Sequence, residues 1–131
     1  MTAIHQVGVE VSQSLRTPGG RAGEAEAFRL VVSFIETFHR TQASDRPFLV
    51  EMPPEPVGDR RFDALLAAIV EYVCARALMP VPTWVSEPSR FLDQWWFVSG
   101  LRSLHADALA NSPISFARRG IFVTGDALSY V

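Results

Sequence analysis

The chain contains no lysine: all 12 of its basic residues are arginine. They are scattered apart from Arg60-Arg61 and Arg118-Arg119, which fits codon bias in a GC-rich genome better than selection for phosphate contacts. With a net charge of −2, no global field draws the chain to nucleic acid or anionic lipid. A single cysteine, Cys74, leaves no internal disulfide and fits a reducing cytosol. No run approaches the roughly eighteen apolar residues of a membrane span. The first ten residues have neither a basic start nor an apolar signal core, so the expected location is the cytoplasm, with no membrane partner. The three histidines, His5, His39 and His105, stand at no metal-ligand spacing. Gly19-Gly20 and Gly23 lack the preceding strand and following lysine of a phosphate loop. The sequence therefore calls for no metal and no cofactor, and it holds no internal repeat.

What it does hold is apolar and aromatic. At 131 residues and 48% hydrophobic, the chain can bury a core of its own. Its organising stretch runs from Pro82 to Gly100, with all three tryptophans, Trp84, Trp95 and Trp96, beside Phe91 and Phe97. Five large aromatics in so short a run must be buried or must bind something. The stretch reads as a clasp between an N-terminal helical half and a C-terminal tail.

Around it the pattern is helical. Phe28, Val31, Ile35 and Phe38 recur at helical steps and predict a helix from about Gly23 to Arg40, widened by Leu30 and Phe34. Glu24 and Glu26 suit its positive end, His39 and Arg40 its negative end. Asp59 is a cap residue opening a second helix whose face is Phe62, Leu65, Leu66, Ile69, Val70, Val73 and Ala77, with Cys74 as a small buried hydrophobe. Phe91, Trp95 and Val98 fall at helical spacing and predict a short helix ended by Gly100. Another spans Ser103 to Asn111, and Ser112 is placed to cap a last one at Ile114 to Arg118, with Gly120 past its end.

Phe48-Leu49-Val50 and Ile121-Phe122-Val123 are the β-prone triplets. The three prolines at positions 53, 54 and 56 exclude helix and read first as a stiff connector, second as a ligand for an aromatic groove. Residues 1–21 read as a mobile or loosely packed arm, in which Ile4, Val7, Val9 and Val11 alternate weakly enough to allow a short edge strand. Tyr130-Val131 reads as a docked ending. The predicted architecture is mainly α: four or five helices on the Trp-rich segment in one domain over residues 22–131, with a small two-stranded element pairing the β-prone triplets.

No catalytic constellation emerges. Ser103, His105 and Asp107 come closest, but residues two apart on a helix point to different sides. Asp59-Arg60-Arg61 and Arg118-Arg119 suit a partner's carboxylate or phosphate as well as a helix terminus.

The strings Pro80-Val-Pro-Thr-Trp84, Phe91-Leu-Asp-Gln-Trp95-Trp96-Phe97-Val98-Ser99, Leu104-His105-Ala106, Ser112-Pro113 and Arg119-Gly120-Ile121-Phe122-Val123, with Gly58-Asp59-Arg-Arg-Phe62-Asp63-Ala-Leu-Leu, carry a resemblance. From about Phe28 to Val131 the chain resembles short actinobacterial proteins of toxin–antitoxin-like two-gene cassettes, some beside nucleotidyltransferase-like toxins. That resemblance implies an antitoxin-like role in restraining a partner protein. Some relatives carry a helix-turn-helix ahead of this region, for which Pro18-Gly19-Gly20 leaves residues 1–41 poorly suited.

The function expected is a non-enzymatic interaction module for a partner protein such as a cognate toxin, with Trp84, Trp96, Arg118 and Arg119 as its contact surface. Self-association into a homo-oligomer is the other use of such a surface. The alternatives are a small enzyme acting on nucleic acid or nucleotide through His105, with Asp107 and Arg119, and a DNA-binding regulator, which the net charge disfavours.

Overall fold

The computed structural model describes residues 2–16 and 20–128. Its framework is helix on helix. α1 (Ile4–Arg16) and α2 (Arg21–Arg40) pack along each other and against α4 (Arg60–Arg76), which runs through the centre. α4 is central because its middle, Ala64 to Val70, is apolar on every side, while its charged residues lie toward the two ends. Phe62, Leu65, Leu66, Ile69, Val70 and Val73 have no exposed area, and neither do Ala64, Ala67 and Ala68 on its other faces. The small alanines let neighbouring elements approach closely where the larger side chains do not project.

The ends of α4 follow from local chemistry. Asp59 lies in extended conformation, and its carboxylate accepts the Arg61 N–H at 2.9 Å. This satisfies one of the orphan donors of the first turn. At the other end Met79 N–H reaches back to Cys74 O at 3.0 Å and Leu78 N–H to Ala75 O at 3.2 Å. That closing pattern needs a left-handed residue, and here it is Leu78, at φ 56°.

α1 departs from the sequence reading. The valines that suggest an edge strand or a loose arm belong to a helix, in which Ile4, Val7, Gly8 and Val11 are buried. Their spacing is i, i+3, i+4, i+7, the helical stripe, and the alternation through exposed Val9 is incidental. Gly8 allows the closest approach. A Cβ added there would lie 2.7 Å from Pro54 Cβ. Ser14 Oγ also donates to Gly23 O at 2.9 Å, tying the end of α1 to the start of α2.

α2 is the predicted helix, extended two residues toward the N-terminus, with Ala27, Val31, Val32, Phe34, Ile35 and Phe38 buried. Arg46 closes its C-terminal end. Its Nε donates to Phe38 O at 3.0 Å and its Nη2 to His39 O at 3.3 Å. Its guanidinium carbon lies 5.0 Å from the Phe38 ring centre. Arg46 then begins α3 (Arg46–Val50), where an extended segment is expected. Pro47 explains the helix: proline is preorganised for a first turn, where its missing N–H costs nothing.

The aromatic stretch also departs from expectation. Two short 3₁₀ turns, Thr83–Ser86 and Pro88–Arg90, precede an extended run that contains strand β1 (Trp96–Phe97). A helix here would be apolar all round and would need cover on several sides. As a strand, alternate residues serve two faces. After α5 (His105–Asn111) and α6 (Ile114–Ala117) the chain returns as β2 (Ile121–Phe122), parallel to β1, with Trp96 opposite Ile121 and Phe97 opposite Phe122. The fold is thus mainly α with a small two-stranded sheet, as expected. The strand paired with Ile121-Phe122 is Trp96-Phe97, however, and not Phe48–Val50.

Gly120, at φ 82°, makes the turn from α6 into β2, and its carbonyl accepts the Trp96 N–H at 2.8 Å. Ser112 does not cap α6. Its hydroxyl accepts the Val123 N–H at 2.9 Å and donates to Ala108 O, so it ties α5 to the end of β2. Tyr130-Val131 lies outside the described residues.

Candidate partner-binding site

The four residues expected at a contact surface fall in two different environments. Trp84 is internal, with 6% exposure, and its indole Nε1 donates to Val50 O at 2.9 Å. One face is covered by Arg90, whose guanidinium carbon lies 4.8 Å from the ring centre. Arg119 has no exposed area. It donates to Ser115 O and Val85 O, both at 2.7 Å, pairs with Glu71 at 2.8 Å and stacks on Phe91. These two residues are therefore corrected from surface to core. An indole and a guanidinium can be buried once their donors find carbonyls, and here α3, the Thr83–Ser86 turn and α6 supply them.

Trp96 is half-buried. Its inward ring meets Phe62 at 5.2 Å, and the Arg61 guanidinium lies over it, also at 5.2 Å. Arg61 is held between Asp59 at 2.7 Å and Glu24 at 3.1 Å, which links α2, α4 and β1. The hydrogen bond from Arg61 holds the Asp59 carboxyl below its ordinary pKa, and the same bond raises that of Arg61. Arg118 is partly exposed and donates to both oxygens of Glu71.

The outward side of β1 carries residues that the expected surface omitted. Trp95 is 68% exposed. Its ring packs edge-on against Phe122 at 5.0 Å and Phe97 at 6.4 Å, and Phe97 and Phe122 stack at 5.1 Å. His105 lies flat on Phe97 at 3.9 Å. Phe97 and Leu101, the latter 60% exposed, lead into a groove of about 630 Å³ between β1 and the start of α2, floored by Phe28, Phe62 and Trp96. Trp95 and Phe97 on one side and Trp96 and Val98 on the other give the period-two signal in the sequence that would have separated the two faces.

The residues of the enzyme alternative do not converge. His105 is stacked on Phe97, while Arg119 is enclosed by Glu71, Ser115, Val85 and Phe91. Asp107 accepts the Gly125 N–H at 3.0 Å and Asn111 Nδ2 at 2.7 Å, so it fastens the segment after β2. Among the described residues no three or more His, Cys, Asp or Glu side chains gather as a metal site, and no helix is long and apolar enough to cross a membrane. Burial pushes the Cys74 thiol up to about 11, which leaves it protonated and unreactive at neutral pH.

Arg90 is a further residue that the sequence reading passed over. It is buried, donates to Asp63 O at 3.1 Å and Pro54 O at 3.0 Å, and forms no ion pair among the described residues. Desolvation lowers its pKa, and the charges of Asp63 and Glu87 offset this only in part, so its charge is held at a cost, with carbonyls and the Trp84 ring around it. Comparison with protein-family models, curated proteins and solved structures finds no match to this chain.

Proposed function

We propose that the chain is a non-enzymatic interaction module that binds and restrains a partner protein through the outward face of β1. The observation that carries this reading is the exposure of Trp95 on a rigid aromatic stack formed with Phe97, Phe122 and His105. An exposed tryptophan fixed by its neighbours loses little conformational entropy when it is covered, the property that makes aromatic residues energetic centres of interfaces. Leu101 and the groove beside Trp96 extend the apolar area, and Arg61 lies along its edge. The resemblance to toxin–antitoxin cassettes supports an antitoxin-like role, with the product of the adjacent gene as partner and the cytoplasm as the place of action.

The test is co-expression of the tagged chain with its neighbouring gene product, followed by size-exclusion chromatography. The expected outcome is a stoichiometric complex that Trp95→Ala weakens at least about tenfold, since central interface tryptophans commonly cost 2 kcal/mol or more. A far-ultraviolet spectrum and a cooperative thermal transition like those of the native protein show that the variant still folds. A complex equally strong in Trp95→Ala, or no complex, overturns the proposal.

A further inference from the structure

The segment Met52-Pro53-Pro54-Glu55-Pro56-Val57 has a three-residue rhythm of exposure. Pro54 and Val57 are buried, while Met52, Pro53, Glu55 and Pro56 are exposed. Proline fixes its own φ and drives the preceding residue to extended backbone. That constraint acts on Met52, Pro53 and Glu55, each of which precedes a proline. A polyproline II helix has three residues per turn, so one edge faces inward and the remaining residues form an outer ridge. The ridge here consists of two residue–proline pairs, Met52-Pro53 and Glu55-Pro56, separated by the inward Pro54.

The segment is clamped. Arg90 Nη2 donates to Pro54 O at 3.0 Å, and Asp63 accepts the Val57 N–H at 2.9 Å. Pro54 Cβ fills the space that Gly8 leaves open on α1. Arg90 is itself a buried cation with an unpaired Nε, and the carboxylates of Asp63 and Glu87 act on it only from beyond ion-pair distance. Keeping such a charge inside is costly, and what it holds is the Pro54 carbonyl and the start of α4. The outer ridge is left bare, along one wall of an open groove of about 740 Å³ whose far side includes Glu87, Pro88 and Ser89.

We infer that residues 52–56 are a preorganised polyproline ligand, read by an aromatic-groove domain of a partner protein whose groove is rimmed by basic residues. Domains of this kind take two residue–proline pairs in adjacent aromatic slots and make few demands on backbone hydrogen bonds. The charge follows from Glu51 and Glu55, both exposed and in no ion pair among the described residues. Of the two arginines beside the segment, Arg90 is buried beneath it and Arg60 is turned to Asp93 and Phe91 O. This surface is separate from the face at Trp95 and does not depend on it.

The experiment uses ¹⁵N-labelled SH3 and WW domains with lysine- or arginine-rimmed grooves, titrated with the full-length protein. Saturable shifts confined to the aromatic groove are expected. The double variant Pro53→Ala, Pro56→Ala should weaken binding at least about tenfold, and Trp95→Ala should leave it unchanged. Glu55→Arg, at an exposed position, should weaken it in the same direction and serves if the double variant loses its fold. A synthetic peptide of residues 51–58 should bind about tenfold more weakly than the protein, because it lacks the clamp. Absence of groove shifts with every domain at millimolar protein overturns the inference, as does equal binding by the folded proline or Glu55 variants.

Discussion

The Arg119 guanidinium, with no exposed area, lies 2.8 Å from the Glu71 carboxylate, and Glu71 also receives Arg118. One carboxylate on α4 thus holds both arginines that follow α6. Arg119 in turn spans to Val85 O in the first 3₁₀ turn, and its own carbonyl accepts the Leu92 N–H at 3.0 Å. The pair therefore joins the helical half, the aromatic stretch and the C-terminal segment.

Removing one partner of this pair should be severe. Glu71→Ala leaves a buried cation without its counter-charge and should destabilise by about 3–5 kcal/mol, the usual cost of breaking a buried pair. Replacing both, as Glu71→Leu with Arg119→Met, should cost less than Glu71→Ala alone. Urea denaturation of the three proteins checks the order, and a double variant weaker than the single one would refute this account of the pair.

Leu78 is 93% exposed and holds φ 56° at the end of α4. A left-handed residue with a Cβ carries a steric cost of about 1–2 kcal/mol that glycine avoids. Leu78→Gly should therefore stabilise the protein, by about 1 kcal/mol, and raise the melting temperature. An unchanged or lower value would mean that the leucine side chain contributes more than its exposure indicates.

Gly8 distinguishes a docked helix from a loose arm. In a free helix Gly8→Ala would be favourable by about 1 kcal/mol. In this fold the new methyl meets Pro54 Cβ at 2.7 Å, inside a ring that cannot swing away. The expected result is a loss of about 1–3 kcal/mol, the range for overpacking. Chemical denaturation of the variant decides the sign.

Asp59 makes stability depend on pH in a defined direction. Its folded pKa is lowered, first by the hydrogen bond from Arg61. The unfolded chain therefore binds this proton at a higher pH than the folded one does. Its contribution is complete above the ordinary carboxylate value of about 4 and is lost as pH falls through the depressed folded value. Asp59→Ala should cost about 0.5–2 kcal/mol at neutral pH through loss of the cap. The difference between the two proteins should shrink steadily on acidification below that value, as urea midpoints measured across the range will show.

Helix content was legible where one periodicity ran without competition. The stripe from Val31 to Phe38 and the apolar faces of α4 predict both long helices, and Asp59 marks its boundary because a cap acts within one turn. Ile4, Val7 and Val11 also stand at helical spacing, but Val9 adds an alternating pattern, and four small residues do not separate the two. Phe91 to Val98 satisfied both periods, since every position but Asp93 and Gln94 is large and apolar. Phe48-Leu49-Val50 is β-prone by composition, yet Pro47 just before it opens α3.

The sequence by itself determined the helical class, the central helix, the Gly120 turn and the β-prone Ile121-Phe122, because each rests on contacts within a few residues. It also determined that the aromatic stretch must organise whatever surrounds it. Which aromatics are covered was decided only by the tertiary structure. Trp84 became internal because Val50 O and the Arg90 guanidinium reach it from 34 residues upstream and from the next turn. Trp95 stayed exposed because the parallel pairing of β1 with β2 turns it away from α4. Arg119 is buried against Glu71, 48 positions earlier, and against Val85 O, 34 positions earlier. Local pattern sets the tendency of a segment, whereas burial is decided by partners distant in the chain, and the fate of each tryptophan and arginine here depended on such partners.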